Sequence, residues 1–240
     1  MKNYLIDYMS NNKQNIIIYI VFILIALIGI FYGNTIFEKY NNLRIWQFEN
    51  ILMLAIGIPF LFLQTKAGIP HFIDEQVQNK KRFLQPFLIG VVFGLLDVFV
   101  IKIIQHPEPF KELPPFLQPF PYSLFLYFSG AFEIEVFYRL IPMTTILLIG
   151  QWISKGKFFN YFLWSAILLT SIREPLEQMP SGSNWFICYS LLTGYLMNYL
   201  QAIYYKNAGF LATLSIRLGH YLFWHILLGV YVQFIELNSF

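Results

Sequence analysis

Long apolar stretches separated by short polar connections dominate the pattern of this chain. A helix needs about 20 apolar residues to cross the hydrocarbon core of a bilayer. The pattern predicts seven such helices, at about 15–33, 48–65, 84–104, 121–149, 158–173, 184–204 and 208–235. We therefore predict an all-α protein, a polytopic transmembrane helix bundle of about seven spans that forms one domain over residues 1–240.

A few local features predict where this pattern is interrupted. The sequence GIP at 57–59 predicts a kink in the second helix, and Pro175 predicts that the fifth helix bends or stops there. The proline-rich segment 105–122 predicts a surface connection rather than a span. The apolar run in 15–33 is longer than the roughly 7–15 residues of a signal peptide, and no small-x-small cleavage site follows it. We interpret it as a retained first helix.

The composition changes the picture by excluding several classes of protein. The chain is 57% hydrophobic and 12% charged, whereas soluble domains carry about 25% charged residues. No basic cluster with interleaved aromatic residues suggests nucleic-acid binding, so the expected partners are membrane lipid and, as a further expectation, another membrane or envelope protein. The single cysteine excludes a disulfide framework and a cysteine-based metal site. We expect no cofactor.

The distribution of lysine and arginine predicts the orientation in the membrane. With a cytoplasmic N-terminus, nine of these residues fall inside and four outside, which follows the positive-inside rule. The inside set is Lys2, Lys13, Lys66, Lys80, Lys81, Arg82, Lys155, Lys157 and Lys206, and the outside set is Lys39, Arg44, Lys102 and Lys111. We predict a multi-pass protein of the cell membrane with its C-terminus outside. The run NKKR at 79–82 is a topology anchor or a contact for anionic lipid.

Charged residues inside the apolar fourth helix are the first candidate functional residues. Glu135 and Arg139 lie about 40° apart on a helical wheel, so they are predicted to form an ion pair that faces the bundle interior near the fifth and seventh helices. Glu133 lies about 160° from Glu135 and needs a different environment.

The seventh helix carries a second set of polar residues. Arg217, Tyr221 and His225 recur every four residues and form one stripe. His220 and His225 are five residues apart, about 140° around the helix, which is a poor spacing for two ligands of one metal ion. No metal site is therefore predicted from local spacing.

These charges allow two interpretations. The carboxylates are Glu133, Glu135 and Glu174, and the guanidinium groups are Arg139, Arg173 and Arg217. They form either a buried ion-pair network that joins the fourth, fifth and seventh helices, or a substrate pocket or active site, since charges inside a membrane are costly unless paired or hydrated. A transporter is a further alternative, but no inverted repeat is detectable.

Three segments together resemble the CAAX prenyl protease and bacteriocin-processing family of intramembrane peptidases. The family pattern is EExxxR on one helix, FxxxH on the next and HxxxN or HxxxD on a later one. GAFEIEVFYRL at 130–140 resembles the first motif, SAILLTSIREP at 165–175 the second and IRLGHYLFWHIL at 216–227 the third. The resemblance covers about 120–230 and implies a CAAX-protease-like fold and an intramembrane endopeptidase.

The same resemblance implies a loss of catalysis, because each motif departs at a key position. Ile134 stands where the family has its water-activating glutamate, and Arg173 and Arg217 stand at the two histidine places. Leu169 takes the phenylalanine place and Tyr221 the asparagine or aspartate place. An arginine stays cationic and cannot serve as a base.

We therefore expect a catalytically degenerate protein of this type that acts as a scaffold, a regulatory partner or an immunity-type factor. The alternative is an active endopeptidase that uses a shifted helix register. Its catalytic residues would come from Glu133, Glu135, Arg139, His220 and His225. A general base must hold and release a proton close to the reacting group, so a glutamate within reach of a histidine would favour this alternative.

Overall fold

The computed structural model describes the backbone of residues 2–40 and 42–238, and the side chains from residue 12 onward within those ranges. Over these residues the chain forms seven helices and no strand, which confirms the predicted helical class. The helices are α1 (Lys2–Ile36, continued by a 3-10 turn at Phe37–Lys39), α2 (Phe48–Leu63), α3 (Lys80–Gln105), α4 (122–154), α5 (Phe159–Glu177), α6 (Asn184–Ala208) and α7 (Phe210–Glu236).

Three of these helices are long and apolar enough to cross a membrane. They are the segments Asn12–Lys39, Lys80–Gln105 and Phe210–Glu236, in α1, α3 and α7. The apolar α2 is shorter than a span, and the remaining helices are shorter or less apolar. The fold is that of a membrane protein, while the number of spans remains a prediction.

Two predicted interruptions have different outcomes. The kink in α2 is confirmed, since its two halves, Phe48–Ala55 and Ile58–Leu63, are separated at residues 56–57. Of the two outcomes predicted at Pro175, a bend or a stop, the stop is wrong, because α5 continues to Glu177. Pro175 lies in the last turn, where its missing N–H removes a single helical hydrogen bond. A π-helical turn, Val136–Leu140, lies in the middle of α4.

Helices α3 and α7 pack at very short range through glycine. A Cβ atom added to Gly90 would lie 1.8 Å from the carbonyl oxygen of Ile216, and one added to Gly219 would lie 2.2 Å from that of Phe87. Both contacts are with backbone, which a rotamer change cannot relieve. Glycine is therefore required at this crossing, which brings polar residues of α3 and α7 together.

Helix α5 lies antiparallel to α4 but covers only part of it. Phe162 packs against Gly150, and Arg173 donates to the carbonyl oxygen of Phe137 at 3.2 Å. The last turn of α5 therefore lies beside the middle of α4. Residues 122–136, roughly 22 Å of helix at 1.5 Å per residue, extend beyond it.

Candidate functional site

Arg217 lies at the centre of a buried cluster of charges. Its Nε donates to Oε1 of Glu135 at 2.6 Å, and its two terminal nitrogens donate to the two oxygens of Glu174, each at 2.7 Å. The side chains of Arg217 and Glu135 are 1% and 0% exposed. We call Glu135, Arg139, Glu174 and Arg217 the charged core. Its ion pairs join α4, α5 and α7. Each pair offsets the cost of burying a carboxylate away from water.

Glu135 is fully engaged by donors within the bundle. Its Oε1 also accepts from Nε2 of Gln201 at 2.8 Å, and its Oε2 accepts from the hydroxyl of Thr213. Both oxygens therefore hold hydrogen bonds to neighbouring helices.

Arg139 differs from the prediction in its partners. It is buried, as predicted, but the salt bridges among the described residues do not include a pair between Arg139 and Glu135. Its terminal nitrogens donate to the carbonyl oxygens of Thr170 and Asn198, each at 3.0 Å. The prediction of an ion pair was wrong because Arg217, from another helix, occupies Glu135. In addition, the π-helical turn that begins after Glu135 breaks the regular 100° spacing.

Helix α6 supplies two residues of this cluster that the sequence analysis missed. Asn198 and Gln201 lie one turn apart and are 1% and 0% exposed. Oε1 of Gln201 accepts from Arg217 at 3.2 Å and from Arg139 at 3.3 Å, so one amide bridges the two cations. Two amides at helical spacing in an apolar helix were the signal available in the sequence.

The two motif positions in the second segment of the family resemblance face outward. Leu169 is 60% exposed, and the side chain of Arg173 is 47% exposed. Arg173 pairs with Glu177 at 2.8 Å and lies 4.3 Å from the ring centre of Tyr138. The inward position is instead Glu174, one residue later, so Arg173 does not enter the charged core.

Glu133 occupies a separate environment from Glu135, as the helical spacing predicts. It is half-buried, and its Oε1 accepts from Nδ2 of Asn50 at 3.2 Å. The side-chain oxygen of Asn50 accepts from the backbone N–H of Gln47 at 3.1 Å, which fixes the orientation of the amide. Glu133 and the neighbouring Ile134 line a cavity of about 430 Å³.

Aromatic side chains form much of the wall of this cavity. We call it the aromatic pocket and define it by Arg44, Trp46, Tyr127, Glu133, Tyr221 and His225. The rings of Tyr127 and His225 are stacked with centres 4.1 Å apart, and Tyr221 meets His225 edge to face at 4.7 Å. A partly apolar cavity with a few polar groups is the usual form of a small-ligand site, and its volume is in the usual range of about 300–1,000 Å³.

The predicted stripe on α7 connects the charged core with the aromatic pocket. The guanidinium of Arg217 lies 5.9 Å from the ring centre of Tyr221, which in turn contacts His225. Nδ1 of His225 lies 2.8 Å from the carbonyl oxygen of Phe116, so this nitrogen must carry the proton and donate it. Nε2 of His225 is then the acceptor nitrogen of the neutral ring.

His220 lies apart from His225, in a contact between α3, α6 and α7. Its Nε2 is 2.7 Å from Oδ2 of Asp97, and the hydroxyl of Tyr189 donates to Oδ1 of the same carboxylate at 2.7 Å. Nδ1 of His220 is buried, and the residues that the structure describes give it no hydrogen-bond partner. The two histidines therefore have separate partners, in agreement with the predicted spacing.

The geometry brings one glutamate and one histidine into the same cavity. Glu133 and His225 both line the aromatic pocket, but the hydrogen bonds found among the described residues do not link a glutamate to a histidine. Within the described part of the chain, no group of three or more His, Cys, Asp or Glu residues could hold a metal ion. Charge pairing in the core and ligand binding in the pocket are what this arrangement can do directly.

Comparisons with family models, with curated proteins and with solved structures found no match to this chain.

Proposed function

We propose that this chain is a multi-pass membrane protein of the CAAX-protease and bacteriocin-processing type that has lost catalysis and acts by binding. The double ion pair of Arg217 is the observation that carries the proposal. In the family resemblance this position belongs to a histidine, whereas here a permanent cation binds both Glu135 and Glu174. Arginine cannot accept a proton, and the two carboxylates beside it are already engaged.

The aromatic pocket is the proposed binding site, and the charged core is its structural support. In the predicted orientation, with the N-terminus in the cytoplasm, the pocket lies toward the outer surface, because Arg44 and Trp46 belong to the α1–α2 connection. A protein of this form would serve as a scaffold, a regulatory partner or an immunity-type factor for another membrane or envelope protein.

A specific observation favours one alternative, an active endopeptidase based on Glu133 and His225. Both residues line the aromatic pocket, and the acceptor nitrogen of His225 would be available to a water molecule. Such a pair could activate water if a substrate brought the two groups within about one water of each other. This alternative requires neither Glu135 nor Arg217 as a catalytic residue.

A proteolysis assay distinguishes the two functions. The full chain in lipid nanodiscs would be incubated with prenylated peptides ending in a CAAX sequence and with a mixed peptide library, beside empty nanodiscs. We expect cleavage no higher than in the empty nanodiscs for both the wild type and Glu133→Gln. Cleavage by the wild type that disappears in both Glu133→Gln and His225→Ala would overturn the proposal and establish the alternative.

A further inference from the structure

We propose that the aromatic pocket binds the zwitterionic head group of an aminophospholipid, with its ammonium group at Glu133 and its phosphate at Arg44. This inference rests on the proposed function as a binding protein and specifies the ligand of the same pocket. The argument depends on four features: an incompletely paired carboxylate, aromatic walls, an exposed guanidinium and an opening at the side of the bundle.

Glu133 is an oriented carboxylate with free acceptor capacity. Asn50 donates to Oε1, whereas the hydrogen bonds of the described residues do not include a donor to Oε2. The salt bridges of the same residues do not include Glu133 either. A half-buried carboxylate in this state gains most from a cation that also donates hydrogen bonds, which a primary ammonium does.

The walls of the pocket also favour an ammonium group. Trp46, Tyr127 and Tyr221 line the cavity together with His225. The faces of tryptophan and tyrosine rings attract ammonium groups within about 6 Å of the ring centre. The volume of about 430 Å³ is sufficient for a small polar group and excludes a folded protein segment.

Arg44 supplies the anion-binding end of the pocket. The hydroxyl of Tyr127 donates to the carbonyl oxygen of Phe116 at 2.6 Å, so its oxygen accepts from a terminal nitrogen of Arg44 at 3.1 Å. This bond orients the guanidinium, which is 5.7 Å from the ring centre of Tyr127. Arg44 is exposed, and its side chain has further N–H donors for the oxygens of a phosphate.

From the short reach of α5 along α4 we infer a side opening through which a lipid head can reach these groups. Helix α5 ends beside Tyr138, and its terminal Glu177 accepts a hydrogen bond from that hydroxyl. The pocket lies farther along α4, at Tyr127 to Ile134, where α5 no longer runs beside it. Gln178, the first residue after α5, lines its edge. A head group in the adjacent leaflet would enter sideways, beneath the outer connections.

Binding of short-chain lipids to the purified full chain tests this inference. The probes are dihexanoyl phosphatidylethanolamine, dihexanoyl phosphatidylcholine and dihexanoyl phosphatidylglycerol, titrated into protein in a detergent free of amines and phosphates. We expect phosphatidylethanolamine to bind at least about tenfold more tightly than the other two, because its ammonium donates a charge-assisted hydrogen bond to Glu133. Glu133→Gln should remove this preference, and Arg44→Gln should weaken phosphatidylethanolamine and phosphatidylglycerol alike.

Matched controls are available at the exposed ion pair below the opening. Glu177→Gln and Arg173→Gln make the same chemical changes outside the pocket lining, so they should leave the lipid preference unchanged. Each variant should retain the thermal unfolding midpoint of the wild type, which shows that the protein is folded. Equal affinities for the three lipids, or a preference that survives Glu133→Gln, would overturn the inference.

The outcome is separable from that of the proposed function. Proteolysis that depends on Glu133 and His225 would refute the loss of catalysis without changing the measured lipid preference. Conversely, absence of a lipid preference together with absence of proteolysis would refute this inference and leave the proposed function in place.

Discussion

Replacement of Arg217 by methionine is the most informative perturbation of the charged core. Methionine has a comparable length and no charge, so the change removes four hydrogen bonds: one to Glu135, two to Glu174 and one to Gln201. Glu135 would retain donors from α6 and α7, but Glu174 would lose the cation that binds both of its oxygens. Removal of one partner of a buried pair costs about 3–5 kcal/mol of stability.

The exposed pair on α5 provides a control with the same chemistry. Arg173→Met also breaks an arginine–glutamate pair, but the side chains of Arg173 and Glu177 are each 47% exposed. Exposed pairs contribute only about 0–1 kcal/mol. Equilibrium unfolding in detergent, followed by circular dichroism, should therefore show a large loss for Arg217→Met and a small one for Arg173→Met.

A second substitution distinguishes two causes of the lost stability: a buried carboxylate left without its cation, and the loss of side-chain packing. In the Arg217→Met background, Glu174→Leu removes the carboxylate that was left without its cation, so we expect it to recover part of the lost stability. The same Glu174→Leu change in the wild type should be destabilising, because it leaves Arg217 with a single carboxylate. Equal unfolding midpoints for Arg217→Met and Arg173→Met would refute the reasoning that the buried pairs stabilise the bundle.

Three further predictions concern other parts of the chain. Gly90→Ala should lower the unfolding free energy, because its Cβ would meet backbone of α7. The Cβ of Gly130→Ala would have nothing within 4 Å, so this variant should leave the unfolding free energy unchanged or raise it. Equilibrium unfolding of both variants measures the difference. Burial lowers the pKa of His71 below its usual range. The contribution of His71 to stability should therefore be constant above about pH 6.5 and fall as the pH drops below that value. His71→Leu should reduce this fall. A topology reporter fused at Phe240, which lies outside the described residues, should read extracellular, and a cytoplasmic signal would contradict the predicted orientation.

The helices could be predicted from the sequence because apolar length is a direct signal. All seven predicted segments correspond to helices, and the kink before Pro59 was also predictable from one residue type. The ends were less predictable. Helix α5 passes Pro175 because a proline in a last turn removes little hydrogen bonding, and the sequence does not state which turn is the last.

The partners within the site could be predicted only where they lie on one helix. The stripe of Arg217, Tyr221 and His225 follows from spacing alone, and the structure places these residues in contact. The partner of Glu135 comes instead from another helix, and the register between helices is set by packing such as the glycine crossing of α3 and α7. Helical spacing within α4 therefore suggested Arg139, which was wrong.

Asp97 is a second residue whose partners could not be predicted from the sequence. In the sequence it is an isolated carboxylate in an apolar helix, without an evident partner. In the structure it accepts from Tyr189 and contacts His220, which are 92 and 123 residues away along the chain. A burial argument predicts that such a residue must be paired, but only the fold identifies the partner.

The unequal lengths of α4 and α5 have a consequence for the surrounding bilayer. At 1.5 Å per residue, α5 is roughly 28 Å long and α4 roughly 50 Å, although the two helices lie side by side. A hydrocarbon layer about 30 Å thick matches the first and is exceeded by the second. Lipids on the α5 side of the bundle would therefore meet a shorter wall than those elsewhere. If α4 and α5 cross the membrane as predicted, the excess length of α4 would be accommodated by tilting or by a local thickening of the layer, and the protein would be sorted toward membranes in which this deformation is least costly.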